Sequence, residues 1–406
     1  MMVGYIDPGT GSMLFTIVTG FAIALYFVAK TTWIRIKTLF AGRGKSLTGA
    51  AGAEAIVIYS EGKRYWNVFL PVVEEMERRG IAAAFYSSEE DDPVFLRQLS
   101  FVKPRFIGKG NLAYARLNML EAKVCLMTTP GLDVYQLKRS KAVRHYSHIL
   151  HAVDDATSYR LFSLDYFDSV LLSGEYQKSA IRELEATRKL AAKELRVVGS
   201  TYLDVYDNEK QELPEKRAGE STVLVSPSWG ESGILRRYGR ELLLPLAESG
   251  LRVIIRPHPQ SVQSEAEVLQ ALQSAMKPYA NVEWDFAREN LASLSRADLM
   301  ISDFSGIVFD YAFLFGRPLL YTKQDFDARP YDAGDVSGTS WKFDTLAKIG
   351  RELSPADFSR IGELTRSMIA DGTRAAAIEY ARDEAWQHRG ESGSRVLDFL
   401  MEHAQP

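Results

Sequence analysis

The stretch 298–322 constrains the fold of this chain more than any other part of the sequence. Its first apolar run, 299–301, predicts a buried strand, and apolar residues then recur at helical spacing over 307–315. A glycine and a proline end the helical pattern before a second apolar run, 319–322, which predicts another strand. A strand, a helix and a second strand in this order form the repeating unit of a parallel α/β sheet.

The polar residues between the first strand and the helix indicate an anion site. Ser302, Asp303 and Ser305 bring hydroxyl and carboxylate oxygens to the helix entry. A helix that begins directly after a strand presents free backbone N–H groups and the positive end of its dipole, which favour phosphate. The alternative is that Ser302 and Asp303 only cap a helix of an ordinary α/β protein.

The same alternation of strands and helices covers most of the 406 residues and predicts two domains. We place an amino-terminal Rossmann-type domain at 54–206 and a carboxy-terminal one at 222–375. The polar, charged stretch 207–221 is the predicted linker, because it carries no apolar periodicity. A helical tail follows at 376–406. Two parallel sheets of this kind face a cleft, and their ligands bind beyond the carboxyl ends of the strands.

The amino terminus predicts a membrane anchor at 1–41, joined to the first domain by a small, polar linker at 42–53. The run 13–29 contains no charged residue and is long enough for a short spanning helix. Basic residues follow it with no acidic residue among them: Lys30, Arg35, Lys37, Arg43 and Lys45. By the positive-inside rule, the anchor lies in the cytoplasmic membrane and the catalytic part is cytoplasmic.

Two alternatives to a spanning anchor stay open at this point. A cleaved signal peptide normally carries a basic residue ahead of its apolar run, and no Lys or Arg precedes Lys30. A monotopic helix in one leaflet is also consistent with the sequence, because the stretch 33–40 continues amphipathically.

The tetrapeptide Arg256-Pro-His-Pro259 follows the predicted strand 251–255 directly. Its two prolines stiffen the strand end and fix the directions of Arg256 and His258. Arginine offers a planar fork for phosphate oxygens, and histidine can donate to phosphate or transfer a proton near neutral pH. The sequence therefore places two candidate ligand-binding residues at a strand's carboxyl end; a plain turn with a solvated arginine is the alternative.

Three histidines, His145, His148 and His151, lie at a spacing of three. This spacing suits a metal site on a helix, but no carboxylate or thiol cluster completes one, so we predict no metal. On a strand, His145 and His151 point to one face and His148 to the other. We interpret His151, at the end of an apolar run, as a base that faces the cleft, and His145 and His148 as packing or surface residues.

A basic cluster precedes these histidines and consists of Lys138, Arg139, Lys141 and Arg144. It is a candidate contact for an anionic acceptor or for anionic lipid head groups, and a solvated face is the alternative. Nucleic acid is not a predicted partner, because aromatic residues are not interleaved with the basic ones along a face.

Several familiar chemistries are not supported by the sequence. It contains no G-x-G-x-x-G after a strand, no Walker A loop and no G-x-S-x-G elbow, so NAD-dependent, ATP-driven and serine-hydrolase activities are not predicted. We predict no cofactor. Cys125 is the only cysteine, which excludes an internal disulfide.

Separated motifs in a fixed order make the chain resemble the CDP-glycerol glycerophosphotransferase family, whose members build teichoic-acid-type polymers. They are Thr128-Thr-Pro-Gly-Leu-Asp133, Lys138-Arg-Ser-Lys141 with the following histidines, Leu195-Arg-Val-Val-Gly199 with Leu203-Asp204, Ser226-Pro-Ser-Trp229, Arg256-Pro-His-Pro259, and Ser302-Asp-Phe-Ser305 with Phe309-Asp310. The resemblance covers roughly 127–322.

The resemblance implies a GT-B-like pair of Rossmann-type domains, with a carboxy-terminal helix that crosses back to the first domain. It implies a CDP-linked polyol donor held by the second domain, with glycerol phosphate transferred to a glycan or lipid-linked acceptor. His151 is then the candidate general base, and His258, supported by Arg256, contacts the donor diphosphate and helps its departure. The diphosphate-binding residues implied at the helix entry are Ser302, Asp303, Ser305 and Gly306.

Two positions depart from the family's pattern. Gly306 stands where the family commonly has a second serine, so one hydroxyl contact is missing. The family's first-domain histidine often lies between tryptophan and glycine, whereas His151 lies between Leu150 and Ala152. Both departures leave the acceptor and the transferred polyol phosphate open. The alternative functions are a GT-B glycosyltransferase using a UDP- or GDP-sugar, and an inert membrane-tethered scaffold of glycan assembly.

Overall fold

A computed structural model describes residues 54–214, 219, 221–323 and 326–405, together with Leu25. The predicted anchor at 1–41 and the linker at 42–53 therefore lie outside the described residues, apart from Leu25. Among the helices that the structure describes, none combines the length and the apolar character needed to cross a membrane.

The first domain is built on a seven-stranded parallel sheet in the order β3-β2-β1-β4-β5-β6-β7. Its strands are β1 (Glu54–Ser60), β2 (Ala83–Ser87), β3 (Val102–Phe106), β4 (Ala122–Met127), β5 (Val143–Ile149), β6 (Ser169–Leu172) and β7 (Glu194–Val197). Its helices are α1 (Trp66–Arg79), α2 (Asn111–Leu117), α3 (Gln177–Arg188) and α4 (Thr201–Gln211), with short 3-10 helices at Lys63–Tyr65, Pro93–Leu96 and Ala156–Ser158.

The second domain is built on a six-stranded parallel sheet in the order β10-β9-β8-β11-β12-β13. The strands are β8 (Thr222–Val225), β9 (Arg252–Ile255), β10 (Val282–Trp284), β11 (Leu299–Ser302), β12 (Leu319–Thr322) and β13 (Gly350–Leu353). The helices are α5 (Ile234–Arg237), α6 (Gly239–Glu248), α7 (Pro259–Ser264), α8 (Ala266–Met276), α9 (Leu291–Arg296), α10 (Ile307–Phe315), α11 (Trp341–Ile349) and α12 (Ile361–Ala370), with 3-10 helices at Asp332–Asp335, Pro355–Arg360 and Gly372–Arg374.

Both sheets reverse their strand order at the first strand of the domain, as in Rossmann folds. Helices cover the two faces, so alternate residues of one strand enter different cores. In β1, Ile56 and Ile58 pack in one core, while Val57 and Tyr59 pack in the other. Burying an aliphatic side chain of this size stabilises the fold by about 1.5–3 kcal/mol, which explains the nearly continuous apolar runs of the sequence.

The chain returns to the first domain through α13 (Ala375–Ala385) and α14 (Ser392–Ala404), and α14 packs against α1. The approach is close, because a Cβ on Gly393 would lie 2.5 Å from the carbonyl oxygen of Pro71. Buried Asp204 in α4 holds the turn before α14: its carboxylate accepts from Nε1 of Trp386 at 2.8 Å and from the backbone N–H of Gly390 at 2.9 Å. The predicted return of the carboxy-terminal helix is confirmed.

The predicted fold class, two parallel α/β domains, is confirmed, and two local expectations differ from the structure. Helix α4 continues to Gln211, so the first residues of the predicted linker 207–221 are helical. Strand β13 was not predicted, because the edge sequence of 350–353 has no apolar alternation; it pairs only with β12 among the strands that the structure describes.

Candidate functional site

The carboxyl ends of the two sheets border a cleft between the domains. A cavity of about 350 Å³ occupies it and is lined by both halves of the chain. The first domain contributes His151 from the loop after β5, and the second contributes His258 from the loop after β9 and Ser305 and Gly306 from the loop after β11. Arg256 lines it as well, so the structure brings together five of the predicted site residues.

His151 is held from one side by two hydroxyl groups. Its Nδ1 lies 3.1 Å from Oγ1 of Thr128 and 2.9 Å from Oη of Tyr159. The ring of Tyr65 packs edge-on against the imidazole, with centroids 5.2 Å apart. These contacts fix the ring plane of a partly exposed histidine at the cleft wall.

Tyr159 also reaches His148, so one phenol lies between two imidazoles. The distance from Oη of Tyr159 to Nε2 of His148 is 3.4 Å. The phenol has a single proton and can donate to only one of them. If it donates to His148, it accepts from Nδ1–H of His151, and Nε2 of His151 is left with a lone pair. A strand that continued through His151 would put His148 and His151 on opposite faces. Instead β5 ends at Ile149, and the turn that follows brings both rings to Tyr159.

The environment keeps His151 neutral at physiological pH. Burial, with the positive charge of Arg64, lowers the pKa of His151 to about 4, while Asp154 acts in the opposite direction. Burial also lowers the pKa of His148, to about 3. Neutral imidazole is the form that a general base requires before it takes a proton.

The tautomer of His258 follows from a backbone contact. His258 is the N-cap of α7, and its Nδ1 accepts from the backbone N–H of Gln260 at 3.1 Å. An N–H group can only donate, so the ring proton of neutral His258 is on Nε2. Burial lowers the pKa of His258, with Glu265 opposing the shift, and the indole of Trp229 stacks beside the imidazole at 6.4 Å. His258 is thus a neutral N–H donor.

Arg256 lines the cavity, but its guanidinium is already engaged. One amino group pairs with Asp285 at 2.5 Å, and the other donates to the carbonyl oxygens of Ala287 and Arg288 at 2.7 and 3.1 Å. Its side chain is only 8% exposed. Arg256 therefore holds the loop that carries Arg288 at the cleft. The sequence predicted instead that its guanidinium binds phosphate oxygens.

Ser302 and Asp303 also differ from their expected role. Both are fully buried behind the cleft. Ser302 donates its hydroxyl to the carbonyl oxygen of Ser226 at 2.6 Å, and the Asp303 carboxylate accepts from the backbone N–H groups of Ser228 and Ser305, each at 3.0 Å. The reason is that a carboxylate at this position satisfies the N–H groups of two loops, and so shapes the helix entry from behind.

Ser305 and Gly306 form the part of the helix entry that faces the cavity. Gly306 precedes the nine-residue helix α10 and already has helical φ and ψ angles of −60° and −23°. The first N–H groups of a helix have no acceptor within the helix, and the dipole adds positive potential. An anion in the cleft would meet these groups and the hydroxyl of Ser305.

Asp310, one turn into α10, lines the cavity and was not predicted as a site residue. Burial raises its pKa to about 6. Its carboxylate accepts from the hydroxyl of Tyr202 at 2.8 Å. Because Tyr202 lies in α4 of the first domain, this bond also connects the domains across the cleft. The signal available from the sequence was helical spacing, which puts Asp310 one turn after Gly306.

The predicted basic cluster lies at the amino ends of the strands of the first sheet, away from the cleft. Lys138, Arg139 and Lys141 lie in the loop before β5 and Arg144 is the second residue of β5, whereas His151 follows the carboxyl end of that strand. Arg139 pairs with Asp168 at 2.9 Å. The structure does not bring this cluster together with His151 and His258.

His145 has a packing role, which is one of the two roles that the sequence predicted for it. Its ring stacks on His403 of α14 with centroids 3.8 Å apart, and its Nε2 lies 2.8 Å from Oγ of Ser169. The imidazole thus contributes to the contact between the tail and the first sheet.

The sequence matches one protein family over more than half of its length. The model of the family described as CDP-Glycerol:Poly(glycerophosphate) glycerophosphotransferase covers residues 167–400. The match includes His258 and the loop 302–306, and it begins after His151. No curated protein gives a significant match to the sequence.

Solved structures share the fold at low sequence identity. The wall teichoic acid polymerase TagF gives a TM-score of 0.60 at 13% identity, over 95% of this chain and 98% of that chain. Structures of TagF after soaking with CDPG also match. UDP-GlcNAc 2-epimerase from Neisseria meningitidis, bound to UDP-GlcNAc, gives 0.53 at 15% identity over 86% of this chain and 99% of that one. These likenesses confirm the GT-B-like arrangement of two parallel-sheet domains.

Proposed function

Because the chain belongs to the CDP-glycerol:poly(glycerophosphate) glycerophosphotransferase family, we propose that its cleft moves glycerol phosphate, or a similar polyol phosphate, from a CDP-linked donor to a hydroxyl of a cell-surface glycan or lipid-linked precursor. The chain is a CDP-glycerol glycerophosphotransferase-like enzyme. The observation that supports the proposed chemistry is the pairing of His151 and His258 in one cavity with the entry of helix α10.

The donor diphosphate binds at the entry of α10. Ser305 supplies a hydroxyl, Gly306 and the next residue supply backbone N–H groups, and the helix dipole favours the negative charge. Ser302 and Asp303 act from behind, since their hydrogen bonds keep this loop in place. Arg256 acts in the same way on the loop of Arg288.

His151 is the general base. Nε2 takes the proton from the acceptor hydroxyl as the oxygen attacks the phosphorus that bears glycerol. A new oxygen–phosphorus bond forms, and the bond from that phosphorus to the bridging oxygen of the diphosphate breaks. This step requires the proton of neutral His151 on Nδ1, so Tyr159 donates to His148 and accepts from His151. Tyr159 and His148 are positioning residues in this arrangement.

His258 assists the leaving group. The bridging oxygen departs with the electron pair as part of CMP, and negative charge develops on its phosphate. Nε2–H of His258 donates to that charge, because Nδ1 is occupied by the N–H of Gln260. A fixed donor aimed at developing charge stabilises the transition state more than the ground state.

Asp310 orients the donor. A carboxylate partly exposed in the cavity accepts hydrogen bonds from hydroxyl groups, and both the polyol and the ribose of a CDP-linked donor carry them. Tyr202 holds the carboxylate at 2.8 Å, so the donor contacts a group that connects both domains.

Membrane association is a further part of the proposal. It rests on the uncharged run 13–29 and the basic residues after it, which place the enzyme at the cytoplasmic membrane with its catalytic part in the cytoplasm. A lipid-linked acceptor is presented at such a surface. The anchor is proposed to be either single-pass or monotopic.

The experiment is CMP release from CDP-glycerol by the purified protein in the presence of extracted lipid-linked acceptor. His151→Ala should abolish release and His258→Ala should lower it about 100-fold, while circular dichroism shows that the fold is kept. Full activity in either variant removes the role assigned to that residue. A thermal-shift screen of CDP-glycerol, CDP-ribitol, UDP-sugars and GDP-sugars identifies the donor, because a bound ligand raises the melting temperature. Stabilisation by a UDP- or GDP-sugar alone contradicts the proposal.

A further inference from the structure

The second domain binds the loop of the proposed base directly. His151 and Asp155 lie in the loop after β5, and helix α11 of the second domain begins against this loop. The Asp155 carboxylate accepts from the backbone N–H groups of Trp341 at 3.1 Å and of Lys342 at 2.9 Å, and the hydroxyl of Ser340 also donates to it. The first N–H groups of a helix have no acceptor within the helix. Asp155 therefore caps a helix of the other domain.

The side chain of Lys342 makes a second contact with the same loop. Its Nζ donates to Oδ2 of Asp154 at 2.6 Å, and the two side chains are only 12% and 14% exposed. Asp154 lines the cavity between the domains together with His151, whereas Lys342 is not among the lining residues. Because a buried carboxylate without its cation is left uncompensated, the pair strongly favours the arrangement in which the two groups meet.

The same ammonium group lies beside the loop that is proposed to bind the donor diphosphate. Nζ of Lys342 lies 5.9 Å from the ring centroid of Phe304, within the range of a cation–π contact. Phe304 directly precedes Ser305, which lines the cavity. The neighbouring Trp341 packs on Phe309 of α10, with ring centroids 5.2 Å apart. Lys342 thus lies between the loop of the base and the loop of the donor.

We propose that Lys342 is a positioning residue, which fixes the proposed base His151 relative to the donor diphosphate by holding Asp154 in one loop and Phe304 in the other. This inference rests on the proposed function and adds to it a residue outside the cavity. The base and the donor site come from different domains, so their separation depends on contacts across the cleft. A displacement of about 1 Å between reacting groups can lower a rate about 100-fold.

Lys342 also compensates a charge beside the base. The side chains that act on the His151 imidazole through charge or ring contacts are Arg64, Asp154, His148, Tyr65 and Tyr159. The Asp154 carboxylate raises the pKa of His151, against the larger lowering effect of burial. Since the ammonium of Lys342 pairs with this carboxylate, its removal leaves the carboxylate unopposed, and the pKa of His151 should rise from about 4.

Lys342→Met tests the inference in the full chain, through CMP release from CDP-glycerol with extracted lipid-linked acceptor and through NMR titration of the His151 imidazole. At pH 7.5, kcat should fall about tenfold or more, while the KM for CDP-glycerol stays within about twofold of the wild-type value. The pKa of His151 should rise by about half a pH unit or more. Lys342→Arg keeps the charge and the donor groups, so it should restore most of kcat and the wild-type titration.

Lys210→Met is the matched control. Nζ of Lys210 pairs with Asp207 at 2.7 Å and donates across the domain interface to the carbonyl oxygen of Leu314 at 2.8 Å. The control therefore also loses a lysine contact between the domains, but at the far end of α10. It should keep kcat and the titration of His151. An equal loss of kcat in the two variants, or an unchanged His151 titration in Lys342→Met, overturns the inference.

Asp154→Asn combined with Lys342→Met separates position from charge and leaves no unpaired buried charge that could prevent folding. Its kcat should stay as low as that of Lys342→Met, because the loop is no longer held, whereas the pKa of His151 should return to the wild-type value or below it. Recovery of kcat in this double variant would show that charge alone matters and would overturn the positioning role.

The titration also separates this inference from the proposed function, because it requires no turnover. If wild type releases no CMP but the pKa of His151 still rises in Lys342→Met, the proposed function fails and the coupling of Lys342 to the loop of His151 stands. If wild type releases CMP and Lys342→Met is as active as wild type, the function stands and the positioning role is wrong.

Discussion

The hydroxyl of Tyr159 lies 2.9 Å from Nδ1 of His151, and Tyr159 is not among the residues that line the cavity beside His151. A hydroxyl at this position decides which ring nitrogen carries the proton, and therefore whether the nitrogen in the cleft can act as a base. The same hydroxyl lies 3.4 Å from His148, a neutral, fully buried imidazole. The proposed base is thus oriented by a residue that does not itself line the cavity between the domains.

Tyr159→Phe should lower kcat about tenfold with little change in the KM of either substrate, because the variant keeps the ring packing and loses one hydrogen bond of about 1.4 kcal/mol. Steady-state CMP release measures both constants. Tyr311→Phe is the matched control: it removes another buried tyrosine hydroxyl bond, to the carbonyl oxygen of Ala297, away from the cleft. Equal kcat values for wild type and Tyr159→Phe would rule out the positioning role.

His258→Asn separates the two roles of this residue. An asparagine can still cap α7 by accepting from Gln260, but it lacks the Nε2–H donor. Stability should stay close to that of wild type, while kcat falls about 100-fold, as for loss of one donor to developing charge. His258→Ala loses both roles and should in addition lose about 1 kcal/mol of unfolding free energy. Guanidinium unfolding and CMP release test this pair; a fully active His258→Asn would show that the cap alone matters.

The sequence predicted more of the fold than of the site. Parallel strands buried on both faces need continuous apolar runs, and helices need apolar residues at a spacing of three and four, so β1 and α10 could be located from their patterns. Strand β13 could not be located in this way, because an edge strand with one pairing partner carries no continuous apolar run. The tail contact depends on the close approach of Gly393 to Pro71, which no local pattern records.

The sequence indicates which polar residues reach the cleft where position along a strand decides exposure, but it does not show the tertiary partners that turn other polar residues inward. His151, His258 and Ser305 follow strand ends and line the cleft. Ser302 and Asp303 follow β11 equally closely, yet they turn inward because the carbonyl oxygen of Ser226 and the N–H groups of other loops need partners. Which polar group is satisfied by which loop depends on tertiary structure, so the motif alone could not distinguish a ligand contact from a support.

Gly306→Ser restores the hydroxyl that this chain lacks relative to the family's usual pattern. A Cβ at Gly306 meets no heavy atom within 4 Å, and the backbone is already helical, so the substitution fits without strain. The KM for the CDP-linked donor should fall several-fold, because one added hydrogen bond is worth about 1 kcal/mol. Gly306→Ala controls for the added Cβ and should leave the KM unchanged. A lower KM in both variants would assign the gain to the backbone rather than to the hydroxyl.

Asp310→Asn should change the pH dependence of stability. The carboxyl of Asp310 has a pKa of about 6 in the folded chain, because burial raises it, against about 3.9 in an unfolded chain. The folded state therefore holds a proton between pH 4 and pH 6 that the unfolded state has lost, so stability falls as the pH rises through this window, by about 2 kcal/mol. Asparagine still accepts from Tyr202 and does not ionise. Its free energy of unfolding should match that of wild type at pH 4 and exceed it at pH 7.5.

Guanidinium unfolding from pH 4 to pH 8 measures this difference. Asp327→Asn is the control, because its partner Arg329 lowers the pKa of the exposed Asp327 carboxyl to about 2, below the window. Its stability contribution is present at higher pH and is lost only as the pH falls toward 2, so this variant should keep the slope of wild type between pH 4 and pH 6. An Asp310→Asn variant with that same slope would mean that Asp310 titrates normally in the folded chain and is well solvated in the cleft.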